Sequence, residues 1–352
     1  MDSISQMALG AAVTHAVLGR RIGRRAAVLG AFLGTLPDLD VLVRHADAID
    51  AFTLHRSWSH SLFVLSPASL PVALLARRLI GPGMRRNRGA DVAAASFARW
   101  WLAVWATLVT HPLLDAFTTY GTQLFWPLPT PPVAIGSIFI IDPLYTLPLL
   151  IGLAVALRRS DGGLARANLA GLGTSTAWLL ATLVLQQGAR HEAQAAFERA
   201  GTVPDKLVVL PFPFGLMWRA VALEGDDYAV TWVSLVDGAP ASSVERHARG
   251  LDAVALDDPA QVARLRWFTQ GFTGARRVGD RLVLTDLRIG TAAMPVFAFG
   301  IADAVDGAWR RTLAVARPPV VEIGMLGTLA QRSVDADVRL SDGELAGAAP
   351  LP

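Results

Sequence analysis

The stretch Arg99 to Gly121, RWWLAVWATLVTHPLLDAFTTYG, decides how this chain is read. It is apolar over nearly the length needed to cross a bilayer core, yet it ends on His111 and Asp115, four residues apart. On a helix that spacing stacks an imidazole and a carboxylate on one face, within reach of one cation. Such groups are costly at membrane depth, so their presence marks a site. Pro112, between them, would release the carbonyl of Leu108, and a kink at that depth lines a cavity.

Working outward, the composition supports the membrane reading. Hydrophobic residues make up 53% of the 352 and charged residues 17%, a balance too apolar for a soluble protein of this size. Apolar runs at about 4–19, 26–44, 58–80, 98–118, 138–157 and 168–187 give six expected transmembrane helices. The first is short and the second is interrupted by Pro37, so both read as possible broken or re-entrant elements. No cleavage pattern follows the first, which is taken as retained. Arg20, Arg21, Arg24 and Arg25, then Arg77, Arg78, Arg85, Arg86 and Arg88, then Arg158, Arg159 and Arg166 fall in alternate loops. Those loops are expected in the cytoplasm, with both termini on the far side. The net charge of +3 is carried almost wholly by arginine, which suits loop anchoring and gives no nucleic-acid face. The chain has no cysteine, so any metal must take nitrogen or oxygen ligands.

Beyond residue 190 the apolar runs shorten and alternate, at Trp218 to Leu223, Tyr228 to Leu235, Arg281 to Ile289 and Pro295 to Ile301. Gly225-Asp226-Asp227 and Gly279-Asp280 sit where hairpin turns belong, and a helix is expected from Asp258 to Gln270. The expected fold is an α-helical membrane protein of about six transmembrane helices over residues 1–190. A small extracytoplasmic α+β domain over 200–335 and a disordered tail over 336–352 complete it.

Three further segments carry chemistry. GTLPDLD, Gly34 to Asp40, ends an apolar run on a helix breaker and two carboxylates. From Ala26 to Leu36 a helix rises only about 16 Å, so Asp38 and Asp40 fall inside the bilayer, where two carboxylates can bridge cations. HRSWSHS, His55 to Ser61, holds two histidines five apart, which converge only if a helix begins between them with Ser57 or Ser59 as its cap. Arg56 between them suits a phosphate or carboxylate, because its planar fork binds such oxygens in pairs. His15, on an apolar helix, reads as a further ligand or as a hydrogen-bonded core residue. Asp142 reads as a helix cap or as a partner of a ligand.

GTLPDLD, HRSWSHS and HPLLDAFTTYG, in that order and after an early histidine, resemble the membrane-bound metal-dependent hydrolases of the YdjM type, which are bacterial inner-membrane proteins. The resemblance covers roughly residues 1 to 190. More distantly, the order of ligands is similar to that of the zinc-dependent phospholipase C and P1 nuclease superfamily. That likeness implies His15, Asp38 or Asp40, His60, His111 and Asp115 as ligands. The later His and HxxxE element of those enzymes have no counterpart, so the likeness implies one or two divalent ions, Zn²⁺ foremost, rather than three.

The expected function is therefore membrane-bound, metal-dependent hydrolysis at the bacterial inner membrane, on a phosphoester or lipid-linked substrate. The metal residues would come from His15, Asp38, Asp40, His55, His60, His111 and Asp115. Asp40 or Asp38 would take the proton from water and Arg56 would hold the substrate anion. Membrane lipids are the expected partners, and nucleic acid is not. Two other classes remain open: an ion or proton pathway in a transporter-like protein, and a scaffold with a structural metal site.

Overall fold

The computed structural model describes residues 1–80, 95–158, 164–212, 215–235, 243–251, 260–292, 295–306 and 308–317. The chain divides into two compact units, and not at a single point. The first comprises Met1–Val43, His55–Ile135 and Ile140–Ala181; the second comprises Arg44–Leu54, Gly136–Phe139 and everything from Thr182 onward.

The first unit is helical. Helices α1 (Ser3–Ile22) and α2 (Arg24–Thr35) form a hairpin whose turn is Gly23, at φ 59°. The two helices touch through glycine. A Cβ placed on Gly10 or on Gly30 would overlap the other's carbonyl oxygen, and one on Gly34 would overlap the carbonyl oxygen of Gln6. Backbones this close leave no room for a side chain. After α2 come a 3-10 turn, Pro37–Leu42, and a second one, Trp58–His60. Helices α4 (Leu62–Ile80) and α5 (Phe97–Ala116) then pack against α2 through Leu33, Leu65, Ala73, Val104 and Leu108, all buried. Ser61, rather than Ser57 or Ser59, starts α4, its Oγ accepting from the amide of Phe63. Helix α6 (Pro143–Arg158) is capped by Asp142, whose Oδ1 accepts from the amides of Leu144 and Tyr145, as a cap reading requires.

The expectation of about six transmembrane helices is overturned. Among the described residues two helices are long and apolar enough to cross a membrane, Leu62–Ile80 and, within α7 (Leu164–Arg199), Arg166–Arg199. The physical reason is that apolar length in the sequence does not separate a span from a helix buried against other helices. Helix α2 has 12 residues and rises about 18 Å, and α6 has 16 and rises about 24 Å, both short of a core about 30 Å thick. Helices α1 and α5 are long enough, but they bury polar side chains: Ser5, Gln6 and Thr14 on one, Thr107, His111 and Asp115 on the other.

The second unit is built from two four-stranded antiparallel meanders, which corrects the expected α+β domain. One has the order β1 (Lys206–Pro211), β2 (Met217–Glu224), β3 (Asp227–Ser234), β4 (Glu245–Ala248). The other has β5 (Thr273–Val278), β6 (Arg281–Asp286), β7 (Ala298–Val305), β8 (Ala308–Ala316). The expected hairpin turns are present: Glu224 pairs with Asp227 around Gly225 at φ 60°, and Val278 with Arg281 around Gly279 at φ 59°. Trp218 and Trp232 are buried, and Ala189, Ala193 and Phe197 from the end of α7 cover the first sheet. The short helix α3 (Ala48–Leu54) places Phe52 against Phe268, Phe297 and Phe299, with ring centroids 4.9, 4.6 and 5.2 Å away. The helix expected from Asp258 is α8 (Ala260–Phe268); its proposed start at 257–259 lies outside the described residues, as does the tail over 336–352.

Candidate metal centre

The interrupted end of α2 and the two 3-10 turns bring four side chains of the first unit to one point against α5. Asp38 comes from the first turn, His60 from the second, and His111 and Asp115 from successive turns of α5. His60 Nε2 lies 3.1 Å from His111 Nε2, 3.4 Å from Asp38 Oδ1 and 3.3 Å from Asp115 Oδ2. His111 Nε2 lies 3.4 Å from Asp38 Oδ1 and 3.5 Å from Asp115 Oδ2.

The partners on the outer sides of the rings fix their protons. His111 Nδ1 is 2.6 Å from the carbonyl oxygen of Gly34, which can only accept, so Nδ1 carries the proton and Nε2 presents a lone pair. Ser59 Oγ donates its one proton to Asp40 Oδ2 at 2.6 Å, so it accepts from His60 Nδ1 at 2.9 Å. His60 Nε2 is thus also a lone pair. With both rings neutral, two imidazole lone pairs and two carboxylate oxygens face each other, and Asp115 Oδ2 is buried with no hydrogen bond. Such a set of acceptors suits a cation at its centre. The spacing fits one: tetrahedral coordination with bonds of about 2.0–2.1 Å puts neighbouring donor atoms about 3.3–3.4 Å apart.

A ring of further contacts holds these donors. Gln6 Nε2 donates to Asp115 Oδ1 at 3.0 Å and to the carbonyl of His111 at 3.2 Å, and the amino group of Met1 also contacts Asp115 Oδ1. Arg56 is buried, with Nε 3.2 Å from Asp115 Oδ2 and a terminal nitrogen donating to Thr118 Oγ1 at 3.2 Å. Its guanidinium lies 5.0 Å from the Tyr120 ring centroid. Its backbone holds φ at 60°, unusual outside glycine, and the amide so placed donates to Asp40 Oδ2 at 3.0 Å. Asp40 Oδ1 meets His55 Nδ1 at 2.8 Å. Burial pushes the Asp40 carboxyl up, but hydrogen bonds from His55 and Ser59 outweigh it and hold the group below its ordinary value.

The seven expected ligands thus separate. Asp38, His60, His111 and Asp115 meet at one centre; Asp40 and His55 pair with each other beside it. His15 does not reach it. Gln6, at the centre, stands nine residues before His15 on α1, so His15 lies about 13 Å farther along the helix, where its ring packs on Gly19. Arg56 holds Asp115. Sequence reasoning missed Gln6, the hydroxyl of Ser59 and the carbonyl of Gly34. Ser59 has a signal in its place directly before His60 in HRSWSHS, where the sequence offers it as a helix cap; a backbone carbonyl leaves no signal at all.

A family model for the YdjM inner membrane protein matches residues 1–191, which includes every residue of this centre. The chain belongs to the YdjM inner membrane protein family. No curated protein and no solved structure matches it. Membership agrees with the two apolar helices and with membrane association, and the buried Asp/His set is compatible with metal-dependent function.

Proposed function

We propose that this member of the YdjM family is a metal-dependent hydrolase that acts on a phosphoester of a lipid or lipid-linked substrate. The observation that carries the reading is the convergence of four possible ligand atoms, two nitrogens and two oxygens, with contacts of 3.1 to 3.5 Å between them. That donor set suits Zn²⁺, which when bound supplies Lewis acidity and a water acidified toward pKa ~7. His60, His111, Asp38 and Asp115 would hold the ion, and Arg56 would keep Asp115 aimed at it. His55, hydrogen-bonded to Asp40 and 23% exposed, would be the group to take a proton from water. Asp38, 21% exposed, marks the open side of the centre. On the two 3-10 turns that carry Asp38 and His60, Leu39, Val41, Leu42 and Trp58 are exposed, apolar surface that would suit an acyl or polyprenyl chain.

Orientation follows from the two long apolar helices alone. Arg77 and Arg78 end Leu62–Ile80, while Arg158 and Arg166 flank the start of the other, so these ends would face the cytoplasm and the β-sheet unit would lie outside it.

A structural metal site is the second reading, favoured by the full count of four ligands. Metal analysis of the purified protein, with hydrolysis assays on phosphodiester and lipid substrates for wild type and His111→Ala, separates the two. Hydrolysis that needs the metal and is lost in His111→Ala supports the enzyme. Bound metal with no hydrolysis, and a melting temperature that collapses in chelator, supports the structural role. Unchanged metal content in His111→Ala removes both.

A further inference from the structure

The β-sheet unit contains a cavity of ≈ 260 Å³ lined by strands β2 to β4 of one sheet and β5 and β6 of the other. Its walls carry Arg219, Arg249, Arg276, His247 and Tyr228, against one carboxylate, Asp286. Asp286 is already matched: its two oxygens take Arg288 Nε at 2.9 Å and a terminal nitrogen of Arg288 at 2.7 Å. Two of the cavity arginines hydrogen-bond to main-chain carbonyls. Arg249 donates to the carbonyls of Gly225, Gly271 and Thr273, and Arg276 to that of Ala292 at 3.1 Å. Arg276 Nε is buried with no hydrogen bond. Burial, and then the nearby Arg317, push the Arg276 guanidinium below its ordinary value.

We propose that this cavity binds a small phosphate-bearing dianion, with Arg276 and Arg249 as its principal contacts. Guanidinium forks match phosphate oxygens in pairs, and the one carboxylate lining the cavity, Asp286, is already taken by Arg288. The volume falls below the range of about 300–1,000 Å³ typical of sites for larger ligands, so it suits a phosphate or a phosphomonoester head. The site lies outside residues 1–191 and does not depend on the metal centre.

The test uses the full chain in detergent, dialysed against EDTA so that no cation in the first unit attracts anions. Calorimetric titration with inorganic phosphate and with dioctanoyl phosphatidic acid, at constant ionic strength, distinguishes a free phosphate from a lipid headgroup. Saturable binding of either probe is expected, weakened about tenfold or more in Arg276→Gln. Ala248→Asp, at an exposed lining position of β4, adds a carboxylate without touching the core and is expected to have the same effect. No saturable binding of either probe, or equal affinity in wild type and Ala248→Asp, overturns the proposal.

Discussion

Replacing Ser59 by alanine tests whether the outer hydrogen bonds make the centre. Ser59 is buried, and its hydroxyl accepts from His60 Nδ1 at 2.9 Å while donating to Asp40 Oδ2 at 2.6 Å. Alanine removes both bonds at a position where Ser59, Asp40 and His60 are all buried. The proton of His60 then loses the acceptor that keeps it on Nδ1 and can move to Nε2, which closes the lone pair facing Asp38 and Asp115. Loss of such a supporting contact weakens metal binding by about 10- to 100-fold, or about 1.4 to 2.7 kcal/mol. Competition with a chromophoric zinc chelator reads this directly in the detergent-purified protein. Ser59→Thr, which keeps the hydroxyl, should stay close to wild type. Zinc affinity of Ser59→Ala within threefold of wild type, with its fold intact by circular dichroism, would refute the argument.

Three further expectations follow from particular contacts. Gly30→Ala must push α1 away from α2, costing about 1–3 kcal/mol as a lowered melting temperature, and an unchanged melting temperature would show that the helices do not meet through glycine. Asp40 sits below its ordinary value of 3.8 when folded, so its contribution to stability is full above that pH and is lost as the pH falls through the folded value; metal-free Asp40→Asn should show a flatter loss of stability in urea titrations between about pH 5 and pH 3. Since the chain has no cysteine, single replacements at exposed Asp226 and Arg78 can be labelled with an impermeant maleimide in spheroplasts; Asp226→Cys should label before lysis and Arg78→Cys only after it, and the reverse pattern would invert the proposed orientation.

The parts of the site legible in the sequence are those set by local geometry. His111 and Asp115 could be paired from their spacing alone, because four residues on a helix nearly complete a turn. Asp38 and His60 needed only a break in helix geometry nearby, which Pro37 and the serine-rich HRSWSHS segment supply. His15 misled because an imidazole on an apolar helix looks alike at any depth; its distance from the centre depends on which turn of α1 meets α5. The count of spans failed for a related reason: α1, α2 and α5 are apolar largely because they pack on one another, and composition does not say whether lipid or protein covers a residue. In the β-sheet unit the turns were legible because Gly225 and Gly279 must hold positive φ, while β1, β4, β5 and β8 lacked a clear alternation. Those strands pair only with their sequence neighbours, so the two meanders follow chain order even where the alternation is weak.

The two imidazoles of the centre differ in what holds them. His111 is aligned by the main-chain carbonyl of Gly34, and His60 by the side chain of Ser59. A carbonyl is present whatever codon stands at position 34, so no single substitution there deletes that bond; it can only be displaced, and the closeness of Gln6 makes displacement costly for the whole helix pair. The serine, by contrast, is one base change from losing its hydroxyl. Adjustment of the proposed metal affinity, by mutation or by design, would therefore be available on the His60 side and largely barred on the His111 side, so an engineer seeking a looser or tighter centre should vary position 59 and leave the glycine hairpin alone.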